Sequence, residues 1–234
     1  MGKVRSLLQR PNAGDPSSQD PTRNHACTEF EIDTWAVSQF VLQRLVPIVG
    51  IHPFPLHEMM LMVAAVCRTR PPQIFEWGTH IGKSARIFYE CAVHYHIEST
   101  IHSTDLPGEI DHVEHPHGER GKLVRGLSHV NLHQGDGVDT SLEIWRSEGR
   151  RPRPLFFVDG DHQHASVLRE LTVIAQEVPD ASVLLHDSFY QSAASDYNIG
   201  PYRAIEDVLA MDSGRFRKVE SGFGLPGMTL LYPA

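Results

Sequence analysis

The 234-residue chain has few cysteines, no long hydrophobic run and no excess of positive charge. Its three cysteines, Cys27, Cys67 and Cys91, are odd in number and lack a CxxC spacing, which favours reduced intracellular thiols over a disulfide framework. No apolar run approaches the roughly 18 to 20 residues that span a bilayer, so we expect no membrane partner. The stretch from Met1 to Gly14 lacks the continuous apolar core of a secretory signal. We therefore expect a cytoplasmic protein.

The charge balance is acidic, with 21 Lys and Arg against 29 Asp and Glu and a net charge of −8. Such acidity argues against a phosphate backbone as the main partner, so we expect no nucleic-acid partner. Apolar residues make up 41% of the chain, which is enough for a buried core. The 15 histidines are many for this length, and histidine is both the commonest metal ligand and a near-neutral acid or base.

Three segments follow one another along the chain. Residues 1–27 are rich in Pro, Ser, Asn and Asp without a periodic apolar face, which predicts a flexible N-terminal segment. Residues 28–70 show helical apolar spacing, which predicts an N-terminal helical extension whose first helix ends at Pro47 and Gly50. We expect this extension to join two copies of the chain as a homodimer. Residues 71–234 alternate short apolar strands with amphipathic helices, which predicts an α/β domain with a parallel sheet.

The α/β domain is predicted to contain seven strands. The last two are expected to form an antiparallel pair, whereas the first five alternate with helices and should run parallel. The predicted strands are Gln73 to Trp77, Thr100 to Thr104, Val130 to His133, Leu155 to Val158, Ser182 to Leu185, Phe216 to Glu220 and Met228 to Tyr232.

The end of the first strand carries the most informative motif, Glu76-Trp77-Gly78-Thr79-His80-Ile81-Gly82-Lys83-Ser84. Its glycines leave room for a ligand to approach the backbone, and the following helix presents free N–H groups. A phosphate loop would have four residues between Gly78 and Gly82 instead of three, and a dinucleotide fold would have glycine in place of His80. The pattern E/DxGxxxGxS resembles motif I of class I S-adenosylmethionine-dependent methyltransferases. That resemblance implies that the cofactor is bound by Glu76, Gly78, Thr79, Gly82 and Ser84.

Acidic residues also follow the next two strands. Asp105 ends the second strand, where a carboxylate can grip the ribose hydroxyls of an adenosine ligand. Gln134-Gly135-Asp136 follows the third strand and resembles the adenine-side turn of the same methyltransferases, which implies that Gly135 and Asp136 contact the cofactor. Taken singly, each acid could instead cap a helix or a turn.

Two later strands end in Asp159-Gly160-Asp161-His162 and His186-Asp187-Ser188. Here the chain resembles the small-molecule O-methyltransferases, a group that includes sugar O-methyltransferases of antibiotic pathways, cephalosporin-hydroxylase-like proteins and, more distantly, catechol O-methyltransferases. The resemblance covers roughly Gln73 to Tyr232. It implies S-adenosyl-L-methionine as the cofactor and a Rossmann-like class I methyltransferase fold, with a seven-stranded, mainly parallel sheet that contains one antiparallel strand.

The same resemblance implies a divalent metal ion such as Mg or Mn, held by Asp159 and Asp187, and His162 as the general base. Asp159 would also touch the cofactor. The relatives usually carry an acid or amide where this chain has His186, a ligand better suited to Mn, Fe, Co or Zn than to Mg. A cation and an imidazole together would help to deprotonate a hydroxyl acceptor. Helix capping and loop hydrogen bonding are the alternative roles of Asp159 and Asp187.

The predicted function is methylation of a small-molecule hydroxyl, on a natural product, sugar or phenol. A non-catalytic cofactor-binding protein of the same fold and a P-loop-like NTPase are the alternatives. Four aromatic residues after Asp187 would either wall the acceptor pocket or anchor a loop: Phe189, Tyr190, Tyr197 and Tyr202. The preferred interpretation of the His-rich stretch from Asp111 to His117 is a solvated loop. A substrate lid is the second interpretation, and a metal site is the last.

Overall fold

The computed structural model describes residues 20–22, 24–26, 29–110, 117–192, 194–195 and 198–234. Most of the predicted flexible segment 1–27 and of the His-rich stretch 111–117 therefore lies outside the described residues. Within the described part of the chain, no helix has both the length and the apolar character needed to cross a membrane.

A seven-stranded sheet with the order β3-β2-β1-β4-β5-β7-β6 forms the centre of the molecule. Strands β1 to β5 run parallel to one another, and β7 is antiparallel to both β5 and β6. This arrangement confirms the predicted mainly parallel sheet with one antiparallel strand. The strands are β1 Gln73–Trp77, β2 Thr100–Asp105, β3 Val130–Gln134, β4 Leu155–Val158, β5 Ser182–His186, β6 Phe216–Glu220 and β7 Met228–Pro233.

Helices cover both faces of the sheet, so the central strands are buried on both sides and consist of nearly continuous apolar runs. One apolar cluster joins the N-terminal helices and α4 to one face, and a second joins α5, α6 and α7 to the other. The helices are α1 Thr34–Phe40, α2 Val46–Val49, α3 Leu56–Thr69, α4 Lys83–His94, α5 Gly137–Ser147, α6 His164–Glu177 and α7 Gly200–Met211, with a π turn at Val41–Leu45 and a 3₁₀ turn at His117–Glu119.

The first helix of the N-terminal extension continues past the predicted stop at Pro47. Asp33 begins it by accepting backbone N–H groups of the first turn. The chain then widens into the π turn and starts a new helical segment, α2, with Pro47 in its first turn. The π turn just before Pro47 interrupts the regular i to i−4 hydrogen bonds, which a proline ring and its missing N–H would otherwise disrupt. Of the two predicted stop residues, Gly50, whose φ is +73°, ends the helix, and Pro47 does not.

The extension packs against the α/β domain through buried groups. Glu90 of α4 is 3% exposed and accepts from Arg44 of the π turn at 3.0 Å and from Arg86 at 2.9 Å. Buried Cys67 of α3 and Cys91 of α4 are free thiols whose sulfur atoms lie 3.9 Å apart. The extension thus lies over the core of its own chain. The segment boundaries and the homodimer remain predictions.

Candidate active site

The predicted site residues gather at the edge of the sheet where the five parallel strands end. In a parallel sheet all carboxyl ends lie at one edge, and this edge is where open α/β sheets bind ligands. Because β7 is antiparallel, its first residue joins the same edge, with Met228 beside His186 of β5. The edge therefore combines the ends of β1 to β5 with the loop that precedes β7.

Gly78 allows the backbone of the turn after β1 to lie close to the end of β4. Its φ is +96°, and a Cβ atom there would lie 2.1 Å from the backbone oxygen of Asp159. Gly82, with φ +87°, precedes the first turn of α4, and a Cβ would meet Val124 at 2.9 Å. Both positions require glycine for steric reasons. The Gly78–Gly82 turn and Asp159 are consequently adjacent parts of one site.

Glu76 is fully buried in β1 beneath this turn. Ser103 of β2 donates to its Oε1 atom at 2.5 Å, and the hydroxyl of Thr79 lies 2.6 Å from that of Ser103. The Oε2 atom of Glu76 has no hydrogen-bond partner within the described residues. Burial raises the pKa of Glu76 to about 7, although the hydroxyls of Ser103 and, more weakly, Ser84 oppose the shift. Ser84 is also buried, in the first turn of α4.

Asp105 ends β2 and is held against the motif turn. One carboxylate oxygen accepts the N–H of His80 at 3.0 Å, and the other accepts the N–H of Leu106 at 2.7 Å. Arg120 approaches to 3.8 Å through its Nε atom. These contacts hold the carboxylate beside the glycine turn, and its ribose-binding role remains a prediction.

Gly135 and Asp136 lie on the same edge, but Asp136 has structural partners. Gly135 has φ +143°, and its N–H donates to the backbone oxygen of Asp105. Asp136 caps α5 by accepting the N–H of Asp139 at 3.0 Å and pairs with Arg169 at 3.1 Å. Helix capping, the alternative interpretation from sequence, thus describes the observed contacts of Asp136. A contact with the cofactor remains a prediction for both residues.

Four polar side chains from the ends of β4 and β5 form the centre of the site. His162 Nε2 lies 3.3 Å from Asp187 Oδ2 and 3.5 Å from Asp159 Oδ1, contacts that are electrostatic because Nε2 forms no well-aligned hydrogen bond within the described structure. His186 Nδ1 lies 3.0 Å from Asp159 Oδ1 and 3.7 Å from Asp187 Oδ2. We refer to Asp159, His162, His186 and Asp187 as the catalytic cluster.

A fifth group in this region, Glu58 of α3, was not predicted. It is fully buried, and its Oε2 atom lies 3.1 Å from His186 Nε2. Its Oε1 atom accepts the N–H of Gly227, in the loop before β7, at 2.7 Å. The available signal was a lone acid in the otherwise apolar face of α3. A buried carboxylate needs partners, and here they come from β5 and from the loop before β7.

The carboxylates control the protonation of both histidines. Burial alone would lower the pKa of His186, but Asp159, Glu58 and Asp187 outweigh it and raise the pKa to about 10. Asp159 raises the pKa of His162 above its usual range, with Asp187 adding to the effect and burial opposing it. Although burial acts to raise it, the net pKa of Asp159 is lowered by the neighbouring imidazoles. Asp159 and the two imidazoles therefore stabilise one another's charged forms.

Asp159, His186 and Asp187 fit a divalent metal ion. Each offers one ligand atom, and these atoms all lie within 4.8 Å of one another. Two carboxylates and one imidazole are a suitable donor set for Mn, Fe, Co or Zn. A metal at this position would compete with the proton on His186 Nδ1, because the same nitrogen faces both carboxylates.

The strand order of the sheet and the position of this edge are those of the class I methyltransferase fold. Residues 75–189 match the family model described as a methyltransferase domain, so the chain carries a domain of this family. The match spans the strand ends from Glu76 to Asp187. Lys83, which a phosphate loop would direct at its nucleotide, instead donates to the backbone oxygen of His52.

Several solved structures share the fold. An O-methyltransferase of Bacillus cereus in complex with SAH is 16% identical, with 85% of this chain and 91% of that chain covered and a TM-score of 0.56. The O-methyltransferase TomG of Streptomyces achromogenes, with SAM, is 17% identical, with coverages of 86% and 89% and a TM-score of 0.53. SAH-bound methyltransferase PaMTH1 of Podospora anserina is 15% identical, with coverages of 86% and 87% and a TM-score of 0.54. No curated protein matches this chain significantly.

Proposed function

We propose that the protein transfers the methyl group of S-adenosylmethionine to a hydroxyl oxygen of a small-molecule acceptor, such as a natural product, sugar or phenol. The observation that carries the proposal is the position of the catalytic cluster beside the Gly78–Gly82 turn, with the backbone of Asp159 in contact range of Gly78. Cofactor and acceptor sites are thereby adjacent. The O-methyltransferases among the structural neighbours support the same reaction class, and TomG is described as involved in tomaymycin synthesis.

In the proposed reaction the acceptor oxygen attacks the methyl carbon of the cofactor in line with the sulfur. The new O–CH₃ bond forms as the S–CH₃ bond breaks, and the sulfur keeps the electron pair, which gives S-adenosylhomocysteine. The acceptor proton passes to the neutral form of His162, whose Nε2 atom forms no well-aligned hydrogen bond in the described structure. A neutral alcohol or phenol is a weak nucleophile near neutral pH, so removal of this proton assists the attack.

The cofactor would occupy the edge from β1 to β4. We propose that Gly78, Thr79, Gly82 and Ser84 shape the turn that receives it and that Asp105 binds its ribose hydroxyls. The unpartnered Oε2 atom of Glu76 faces a buried environment and would gain a partner from a bound polar ligand. Gly135, Asp136 and Asp159 would complete the contacts on the adenine and methionine sides.

We also propose that a divalent metal ion assists the reaction, with Asp159, His186 and Asp187 as its ligands. Such an ion supplies Lewis acidity that lowers the pKa of a bound hydroxyl. The three residues position the acceptor oxygen next to His162. Tyr190, which is 58% exposed and stacks edge-on against Tyr202 at 5.0 Å, would border the acceptor.

Turnover of S-adenosylmethionine to S-adenosylhomocysteine, measured with sugars, phenols and macrolides, tests the proposal. We expect His162→Ala to lower turnover by roughly 100-fold or more, since a general base contributes about 10²- to 10⁴-fold. Binding of S-adenosylhomocysteine, followed by calorimetry, should be unchanged in this variant. His164→Ala is the matched control, because His164 is a half-buried neighbour that pairs with Asp207 outside the cluster.

Asp105→Ala tests the cofactor site separately and should abolish S-adenosylhomocysteine binding. Undiminished turnover in His162→Ala would show that His162 is not the general base. Undiminished S-adenosylhomocysteine binding in Asp105→Ala would show that Asp105 does not bind the ribose. Cofactor binding without turnover on any acceptor would favour the non-catalytic alternative. Loss of activity in EDTA that is restored by Mn²⁺ would support the metal.

A further inference from the structure

Glu58 is the residue through which the N-terminal extension contacts the active site, and it has no role in the reaction proposed above. Both of its carboxylate oxygens have fixed partners. Oε1 accepts the N–H of Gly227 at 2.7 Å, while Oε2 lies 3.1 Å from His186 Nε2. The carboxylate is fully buried and so cannot exchange these partners for water. Its orientation is therefore set by α3, by the loop before β7 and by the end of β5 together.

This geometry determines which nitrogen of His186 faces the catalytic cluster. A carboxylate can only accept a hydrogen bond, so the contact with Glu58 requires a proton on His186 Nε2. The other nitrogen, Nδ1, then points at Asp159 Oδ1 and Asp187 Oδ2, at 3.0 and 3.7 Å. Nδ1 is consequently the nitrogen that can give a lone pair to a cation bound between these two carboxylates.

Histidines that bind metals almost always donate their other N–H to a carboxylate, a backbone oxygen or water. Such a partner fixes the tautomer and the ring orientation and makes the ligating nitrogen more basic. We propose that Glu58 is a positioning residue that acts through His186 and prepares Nδ1 to bind a divalent metal ion. This inference rests on the metal-assisted part of the proposed function.

A purely structural role would consist of the Gly227 contact alone. In that case Glu58 would join α3 to the loop before β7, and its removal would change stability without a specific effect on metal affinity. Glu58→Gln separates the two roles because the glutamine oxygen can still accept from Gly227. Its amide group then donates to His186 Nε2, which moves the ring proton to Nδ1 and blocks the lone pair that faces the cluster.

Calorimetric titration of the full-length protein with Mn²⁺ alone tests the proposal. We expect Mn²⁺ affinity to fall about 10- to 100-fold in Glu58→Gln, the usual effect of removing such a partner. Affinity for S-adenosylhomocysteine should remain that of the wild type. Glu90→Gln is the matched control, because it removes another buried helical carboxylate that binds only Arg44 and Arg86 among the contacts described above. Its Mn²⁺ affinity should not change.

Wild-type Mn²⁺ affinity retained in Glu58→Gln would overturn the role of Glu58 and leave the metal centre standing. Absence of Mn²⁺ binding by the wild type would overturn the metal centre and this role together, while methyl transfer could still be measured. If the variant does not fold, long-range ¹H–¹⁵N spectra of the histidine-labelled wild type with Zn²⁺ decide. A proton on His186 Nε2 with metal on Nδ1 supports the proposal, and the opposite tautomer overturns it.

Discussion

Glu76→Gln should make the ligand-free protein more stable at alkaline pH, although it removes a residue of the proposed cofactor site. Glu76 is fully buried, and only one of its two carboxylate oxygens has a hydrogen-bond partner within the described residues. A buried carboxylate that lacks a full set of partners is unfavourable when charged. Glutamine has nearly the same shape but no charge, so it avoids this penalty.

The magnitude follows from the pKa of Glu76, which burial raises from 4.5 to about 7. Because the folded-state pKa lies above the unfolded one, the wild type loses stability as pH rises from 4.5 to 7 and is fully penalised above 7. Each pKa unit corresponds to about 1.4 kcal/mol, so the penalty is about 3 kcal/mol. For a chain of this length, this corresponds to a rise in melting temperature of about 6 to 12 °C for Glu76→Gln at pH 8.5.

Urea unfolding of both proteins at pH 5.0 and pH 8.5 measures the effect as a difference, which cancels the titration of other groups. The stability advantage of the variant should be present at pH 8.5 and small at pH 5.0. Glu90→Gln is the control and should destabilise at both values, since its carboxylate is satisfied by two arginines. A Glu76→Gln protein that is less stable than the wild type at pH 8.5 would refute the reasoning. Calorimetry should show weaker S-adenosylhomocysteine binding by Glu76→Gln.

Two further predictions concern the glycine turn and the buried histidine of β2. Gly78→Ala places a Cβ atom 2.1 Å from the backbone oxygen of Asp159 and should both lower the melting temperature and abolish S-adenosylhomocysteine binding. Gly149→Ala is the control, because Gly149 has φ +88° but open space around it. Its free energy of unfolding should fall by only about 1 kcal/mol. Burial lowers the pKa of His102 from 6.5 to about 4, so its contribution to stability is complete above pH 6.5 and is lost as pH falls toward 4. The loss of stability approaches about 3 kcal/mol. His102→Phe keeps a ring against Phe75 and should reduce this acid sensitivity. Urea unfolding of both proteins at pH 7 and pH 4.5 measures the difference. An unchanged pH dependence in His102→Phe would assign the acid sensitivity to other groups.

The sequence alone determined the order of strands and helices and the edge at which the predicted site residues lie. Strands with apolar runs that alternate with amphipathic helices specify a parallel sheet, and such a sheet brings Asp105, Asp159 and Asp187 to the same edge. The tight turn at the glycines of the motif after β1 could also be predicted, because backbone conformation at a glycine is a local property. For the same reason the strand boundaries differ from the prediction by only a residue or so.

The tertiary structure decided the partners of each side chain. Glu58 and His186 are 128 residues apart in sequence, and no local pattern places them 3.1 Å apart. The continuation of the first helix past Pro47 likewise depends on a π turn that the apolar spacing does not reveal. The protonation of Glu76 and His186 also depends on the tertiary structure, because their pKa values depend on burial and on charges from separate elements. Chain order and periodicity are local properties of a sequence, whereas hydrogen-bond partners and desolvation arise only when distant elements pack together.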